Sequence, residues 1–195
     1  MPRAGSSGCS AHAGASSRKP WLFMDLDGVI SPVPSQAHKA QVRRNGPPTG
    51  FRTWPGAIYD MYVDDRLLDW AEKLDRAYDV VWSSAWGETL LPVVAKPLGL
   101  DHWPILSIPL PSDDSPQETS GPLGRKAQAI AEHLRQDPRP FAWCDDFLTR
   151  GSHPQSTLRT LGLPYLFIRP SSRRGLTHTH VEKLLEFAHQ QAGSY

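Results

Sequence analysis

Short, continuous apolar runs separated by amphipathic segments make up most of the chain after residue 20. Four of these runs, at 21–24, 78–82, 141–144 and 165–168, contain almost no polar residues, and a fifth apolar stretch covers 105–110. A strand that is buried on one face only would alternate apolar and polar residues, so the continuous runs predict strands that are covered on both faces.

The segments between these runs have helical spacing. One helix is predicted after Asp64 or Asp65, either of which is a candidate N-cap. Further helices are expected at 88–96, at 125–135, and from a capping box formed by Thr179 and Glu182 to about residue 191. Strands that alternate with helices indicate an α/β fold with a mostly parallel sheet.

The length of 195 residues suits one domain with a tail. Residues 1–19 are rich in Gly, Ala and Ser, so we expect a disordered N-terminal tail. The predicted domain covers 20–192. Within it, the Pro-rich segment 29–56 reads as a flap or loop insert, since long irregular inserts in compact domains are often functional lids.

Charge and composition narrow the class of protein. Lys and Arg total 21 against 20 Asp and Glu, and this balance argues against a dedicated polyanion binder. No apolar run approaches 18 residues, residues 1–19 lack the apolar core of a secretory signal, and two isolated cysteines do not form a disulfide framework. We therefore expect a soluble, cytoplasmic protein without a membrane partner. Its oligomeric state stays open.

Paired carboxylates follow two of the predicted strands. Asp25 and Asp27 come after the first, and Asp145 and Asp146 come after the run at 141–144. The carboxyl ends of parallel strands meet at one edge of the sheet, so both pairs should lie together there. Carboxylates gathered in this way repel one another unless a cation lies between them, and oxygen ligands of this kind suit Mg²⁺.

A hydroxyl group and a cation complete the set. Ser83 and Ser84 follow the second strand, where a hydroxyl and backbone N–H groups can hold phosphate oxygens. Lys126 lies near the start of a helix, where the helix dipole disfavours a cation, so an acidic or phosphate-filled site nearby would explain it. A solvated face with Arg125 is the alternative for Lys126, and helix capping is the alternative for the serines.

These residues, in this order, resemble the four motifs of the haloacid dehalogenase (HAD) superfamily. The segment 25–29 (DLDGV) resembles the first motif, 80–86 (VVWSSAW) the second, Lys126 the third, and 143–146 (WCDD) the fourth. The surrounding sequence over about 20–190 is similar to small HAD domains related to nucleic-acid repair phosphatases. The resemblance implies a three-layer Rossmann-like fold with a short flap and no large cap domain.

The resemblance also implies a reaction. Asp25 would be the nucleophile that forms an aspartyl-phosphate. Asp27 would protonate the leaving oxygen, later activate water, and give a backbone carbonyl to Mg²⁺. The electrostatics agree, since a carboxylate that attacks a phosphate dianion needs nearby positive charge. The expected activity is that of a Mg²⁺-dependent phosphatase.

The same resemblance assigns the binding residues. Ser84 and Lys126 would bind the phosphoryl oxygens, and Asp145 and Asp146 would complete the metal site, with Asp146 as the direct ligand and Asp145 as its support. A site without a cap suits large substrates such as phosphorylated polynucleotides or proteins, and the expected partner is a phosphorylated substrate such as a nucleic-acid end or a nucleotide. Small phosphate esters remain an alternative.

Two other functions compete with this one. A non-catalytic binding module would keep the fold, and the intact Asp25 and Asp27 argue against it. A response-regulator receiver also uses Asp clusters, a hydroxyl and a Lys, but the order of these residues along this chain differs from that of a receiver.

Several further residues have both a structural and a functional interpretation. Two pairs of arginines could contact phosphate groups or be ordinary surface charge. Three tryptophans could stack on bases or pack in the core. Two histidines that lie two residues apart are expected to be exposed residues at a helix end rather than a pair of metal ligands. These residues are Arg43, Arg44, Arg173 and Arg174; Trp54, Trp86 and Trp103; and His178 and His180.

Overall fold

The computed structural model describes residues 18–33, 47, 49–54, 61–109, 121–149 and 151–193. Most of the predicted tail, much of the predicted flap and the polar loop after 110 therefore lie outside the described residues.

A four-stranded parallel sheet forms the centre of the domain. Numbered in chain order, its strands are β1 (Trp21–Met24), β4 (Asp79–Trp82), β5 (Phe141–Cys144) and β6 (Tyr165–Ile168). They lie in the order β4-β1-β5-β6, and each neighbouring pair is parallel. All four strands were predicted from the apolar runs, and the α/β fold with a mostly parallel sheet is confirmed. Of the stretch at 105–110, the described residues 105–109 form an isolated bridge, from Ile105 to Trp82, and no strand.

A small antiparallel hairpin precedes the first helix. It consists of β2 (Phe51–Trp54) and β3 (Met61–Asp64), paired so that Phe51 lies opposite Asp64. The sequence pattern did not indicate this hairpin, because β2 lies inside the irregular Pro-rich segment. Among the described residues no large cap domain covers the sheet.

Five helices connect and cover the strands in the described part of the chain. They are α1 (Leu67–Ala77), α2 (Gly87–Ala95), α3 (Pro122–Gln136), α4 (His153–Arg159) and α5 (His178–Ala192). Helix α3 begins three residues before its predicted start, with Pro at its first position, where a missing N–H is tolerated. Helix α4 was not predicted, because only Gln155 and Leu158 of its residues are buried.

Two predicted helix caps are wrong. Arg66 occupies the N-cap of α1 without a side-chain capping bond, and Asp64 instead accepts a hydrogen bond from the Arg66 backbone N–H at 2.9 Å. The capping box of α5 joins Thr177 to His180, two residues before the predicted pair. Burial lowers the pKa of His180, and Nδ1 of its ring accepts the Thr177 backbone N–H at 3.2 Å. The neutral imidazole therefore replaces the expected glutamate.

Alternation along the buried strands divides the core into two layers. On β1, Leu22 and Met24 face one apolar cluster and Phe23 faces the other. Helices α1 and α5 pack together on the first side, and α3 and α4 pack together on the second. Since both faces of the sheet are covered, most positions of the strands need an apolar side chain, and this produces the continuous apolar runs. Among the described helices, none is long and apolar enough to cross a membrane.

Candidate active site

The two carboxylate pairs lie side by side because β1 and β5 are neighbours. Met24 is in register with Cys144, and the Asp25 N–H donates to the Cys144 carbonyl at 3.1 Å. The next residue of β5, Asp145, donates its N–H to the Ile168 carbonyl at 3.2 Å. Asp25 and Asp145 therefore leave the sheet together at its carboxyl edge, as the strand order requires.

Lys126 joins these two carboxylates. Its Nζ donates to Asp25 Oδ2 at 2.6 Å and to Asp145 Oδ2 at 2.7 Å. All three side chains are buried, with 7%, 7% and 0% of the side chain exposed for Lys126, Asp25 and Asp145. The interpretation of Lys126 as part of a solvated face is therefore wrong, and its position in the first turns of α3 is explained by the carboxylates that it contacts.

The charges in this cluster perturb one another. Burial, opposed by Lys126 and reinforced by the Asp145 charge, raises the pKa of Asp25 to about 7. Burial and the neighbouring Asp145 also raise the pKa of Asp146. Burial alone would lower the pKa of Lys126, but the two carboxylates outweigh it and raise that pKa. One ammonium group thus does not neutralise the negative charge collected here.

Asp146 lies close to these carboxylates and has one buried oxygen without a hydrogen-bond partner among the described residues. One ligand oxygen from each of Asp25, Asp145 and Asp146 lies within 4.8 Å of the others. Asp146 Oδ1 is buried and has no hydrogen-bond partner among the described residues, whereas Asp145 already contacts Lys126 and the Phe147 N–H. Gly28, with φ of +73°, permits this approach, since a Cβ there would lie 2.4 Å from Asp146 Cγ.

The donor set fits a hard divalent cation. It consists of carboxylate oxygens only, it carries more negative charge than Lys126 neutralises, and it includes one buried oxygen that lacks a partner. Mg²⁺ favours such oxygen ligands and takes one or two carboxylates together with waters and substrate phosphate. The residues present are therefore suited to the Mg²⁺ that HAD domains typically use.

Asp27 lies beside this cluster and contacts Trp86. The indole Nε1 donates to Asp27 Oδ2 at 2.7 Å, and this bond orients both side chains. Asp27 is only half-buried, so it faces the cavity rather than the buried pair of Asp25 and Lys126. A carboxyl group at this position can reach a bound substrate without displacing Lys126.

The two predicted serines differ in position. Ser84 lines the cavity, and its Oγ accepts the Trp86 backbone N–H at 3.4 Å. Ser83 is buried, and its Oγ has no hydrogen-bond partner among the described residues. Of the two hydroxyls, Ser84 is therefore the one that faces the cavity, as the resemblance implied.

A cavity of about 690 Å³ opens over these groups. Asp25, Asp27, Ser84, Lys126 and Asp145 line it, and so do side chains that the sequence did not single out: Leu123, Gln128, Phe147, His153 and Pro154. Phe147 had one signal in the sequence, since it directly follows the fourth motif. The other four side chains, which belong to α3 and α4, had no such signal in the sequence. They reach the site because these two helices pack against each other.

Among the described residues, Trp103, His178 and His180 do not line this cavity. Trp103 is buried and donates its Nε1 proton to Asp75 at 2.6 Å, which is a packing role. His178 is exposed and pairs with Glu182, so the two histidines form no metal pair. The Trp54 side chain and the Arg43–Arg44 pair lie outside what the structure describes.

Arg173 and Arg174 lie in a turn at the same end of the sheet. This turn is held to the segment after the first motif, because Val33 N–H donates to the Ser172 carbonyl and Leu176 N–H donates to the Val29 carbonyl, both at 2.7 Å. The two arginines are exposed near the carboxyl edge of the sheet.

The parallel sheet, the carboxylate pairs at its edge and the buried Lys126 define a HAD-type domain, in a superfamily of phosphohydrolases. A comparison with protein-family models matches residues 21–181 to the HAD domain in Swiss Army Knife RNA repair proteins. The chain belongs to this family. Neither the curated proteins nor the solved structures give a significant match.

Proposed function

We propose that this protein is a Mg²⁺-dependent phosphatase that hydrolyses a phosphomonoester through an aspartyl-phosphate at Asp25. One observation carries the proposal: Asp25 is held against Lys126 and beside Asp145 at the wall of an open cavity. A nucleophile, a phosphate-binding cation and a set of metal ligands thus meet at one point, which is what phosphoryl transfer to a carboxylate requires.

The first step forms the covalent intermediate. The Asp25 carboxylate attacks phosphorus, and the bond from phosphorus to the leaving oxygen breaks. Asp27, in its protonated form, gives its proton to that oxygen, so the alcohol leaves neutral. Ser84 and Lys126 bind the phosphoryl oxygens and hold them for in-line attack.

The second step releases phosphate. Asp27, now ionised, takes a proton from a water molecule as the water oxygen attacks the phosphorus of the aspartyl-phosphate. The bond between phosphorus and the Asp25 oxygen breaks, and this restores the Asp25 carboxylate and leaves Asp27 protonated for the next cycle. The hydrogen bond from Trp86 Nε1 keeps the Asp27 side chain in place between these two transfers.

Asp25, Asp146 and the Asp27 backbone carbonyl would hold the metal. The free Oδ1 of Asp146 supports its role as the direct ligand, and the contact of Asp145 with Lys126 supports its role as the neighbour that positions the cluster. Mg²⁺ in this site would neutralise the charge that develops on the phosphoryl oxygens.

We infer that the substrate is a phosphorylated nucleic-acid end or a nucleotide. The chain belongs to the family of HAD domains in Swiss Army Knife RNA repair proteins. Among the residues that the structure describes, no cap domain closes the cavity against a large substrate. The near-balanced charge of the chain indicates that recognition relies on the site and its surroundings rather than on a general attraction to polyanions. No membrane partner is proposed.

Phosphate release tests this proposal. An aryl phosphate and an oligoribonucleotide with a terminal phosphate are each incubated with wild type, Asp25→Asn and the control Asp101→Asn, in Mg²⁺ and in EDTA. Asp101 is exposed and lies away from the cavity lining. We expect turnover that EDTA and Asp25→Asn abolish and Asp101→Asn preserves.

Two results would contradict the proposal. Turnover that survives in Asp25→Asn would exclude the aspartyl-phosphate. Folded wild-type protein that hydrolyses neither substrate, and that Mg²⁺ does not stabilise thermally, would favour a non-catalytic binding module.

A further inference from the structure

Phe147 exposes an aromatic ring beside the proposed phosphoryl site. It is 71% exposed, more than any other large apolar side chain in the described part of the chain. It lines the same cavity as Asp25, Asp27 and Lys126. Single exposed apolar residues are common on protein surfaces, so exposure alone does not indicate a function. The position of Phe147 in the lining of this cavity does.

The turn that carries Phe147 is fixed by the site itself. The Phe147 N–H donates to Asp145 Oδ1 at 3.0 Å, and the Leu148 N–H donates to the Asp145 carbonyl at 3.3 Å. The next side chain, Leu148, is buried in the core. The carboxylate that contacts Lys126 therefore also fixes the Phe147 backbone beside the proposed phosphoryl site.

The rest of the cavity is shaped for more than a phosphate group. Trp86 contributes a second aromatic ring, oriented by its bond to Asp27, and Leu123 and Pro154 add apolar surface. The volume of about 690 Å³ lies in the range of sites that bind molecules much larger than phosphate. Asp25, Lys126 and Asp145 contact one another, and the apolar side chains that line the same cavity are available to the group attached to the phosphate.

We propose that Phe147 determines specificity by stacking on the base of the nucleotide that carries the phosphate. This inference rests on the proposed phosphatase activity and names the part of the substrate that the cavity recognises. An aromatic side chain offers a flat apolar face, and every base has a matching face, so the contact selects for a base without selecting its identity. An aliphatic or sugar phosphate would leave the ring exposed.

Matched substrates isolate this contact. Adenosine 5′-monophosphate and ribose 5-phosphate share sugar and phosphate and differ in the base. An oligoribonucleotide with a 3′-phosphate is paired in the same way with one whose last nucleotide is abasic. We expect wild type to prefer the base-bearing member of each pair by about tenfold or more in kcat/KM.

Three variants complete the test. Phe147→Ala should lose this preference and keep its activity on the base-free member, whereas Phe147→Trp should retain the preference. Val93→Ala, a change at another exposed apolar residue that does not line the cavity, should behave as wild type. A preference that persists in Phe147→Ala would overturn the proposal, and so would an equal loss on both members of a pair.

Equilibrium binding separates this proposal from the proposed reaction. Adenosine 5′-monophosphate and ribose 5-phosphate are titrated into Asp25→Asn in Mg²⁺, with and without Phe147→Ala. If wild type turns over no phosphate ester, the proposed reaction fails, yet a tenfold weaker binding of the nucleotide in Phe147→Ala would still support the stacking contact. Tighter binding of a phosphotyrosine peptide than of any nucleotide would overturn it in favour of a phosphoprotein substrate.

Discussion

Replacing Lys126 by Met removes the ammonium group that contacts Asp25 at 2.6 Å and Asp145 at 2.7 Å. Methionine keeps a similar length and apolar stem, so the change tests charge more than volume. The exposed pair of Lys73 and Asp69 provides a matched control: its N–O distance is 2.8 Å, but 44% and 58% of the two side chains are exposed. The two sites differ in burial and in the number of carboxylates, since Lys126 contacts two and Lys73 contacts one.

The size of the expected destabilisation follows from the difference between the buried and the exposed site. Two unit charges 4 Å apart attract by about 4 kcal/mol at an effective dielectric constant of about 20, and by about 1 kcal/mol in water. Removing one partner of a buried pair costs about 3–5 kcal/mol, because the other partner stays buried without compensation. An exposed pair four residues apart on a helix contributes only about 0.3–0.5 kcal/mol. We therefore expect Lys126→Met to destabilise the protein several times more than Lys73→Met.

Urea denaturation in metal-free buffer, followed by tryptophan fluorescence, measures both changes. With a slope of about 2–3 kcal/mol per M, Lys126→Met should lower the midpoint by about 1–2 M and Lys73→Met by less than about 0.3 M. Adding Asp145→Asn to Lys126→Met should recover part of the loss, since contacting residues couple in a double-mutant cycle. Equal midpoints for the two single variants, or additive effects in the cycle, would refute the reasoning.

Two further predictions concern backbone space and pH. Gly28→Ala should destabilise the protein by about 2 kcal/mol or more and weaken Mg²⁺ binding in calorimetry, because its Cβ would lie 2.4 Å from Asp146 Cγ. Gly50→Ala is the control, since Gly50 has φ of +83° and nothing within 4 Å of the added Cβ. It should destabilise the protein by about 1 kcal/mol and leave Mg²⁺ binding unchanged. Burial would raise the pKa of Asp64, but its bonds to Arg66 outweigh this and hold that pKa below its ordinary value. The stabilisation by Asp64 is therefore present above about pH 4 and is lost as the pH falls further. The urea midpoints of wild type and Asp64→Asn should differ at pH 7 and converge in acid. A difference between the two midpoints that stays constant with pH would contradict this.

Much of the fold could be predicted from local sequence pattern. Strands buried on both faces leave continuous apolar runs, and all four strands of the central sheet were found in this way. The position of Asp25 and Asp145 at one edge also followed, because parallel strands present their carboxyl ends together. The four motifs added the family, which the match over 21–181 confirms.

Errors arose where local patterns compete. Thr179 and Glu182 have the spacing of a capping box, but Thr177 and His180 form it, and spacing alone cannot select between overlapping candidates. Residues 51–53 of β2 are not buried, and Leu158 is the single buried apolar residue of α4, so periodicity did not reveal these two elements. Such elements form because neighbouring parts of the fold support them.

Local pattern in the amino-acid sequence determined the strands, the order of the motifs and the chemical types gathered at the sheet edge. Only the tertiary structure decided that Asp25 and Asp145 contact Lys126 and that Asp146 keeps an oxygen without a partner. It also decided that Trp86 donates a hydrogen bond to Asp27 and that the Phe147 ring is exposed. The physical reason is distance along the chain. Each of these outcomes depends on side-chain contacts or on packing between residues far apart in sequence, whereas hydrophobic periodicity reports only whether a position is buried.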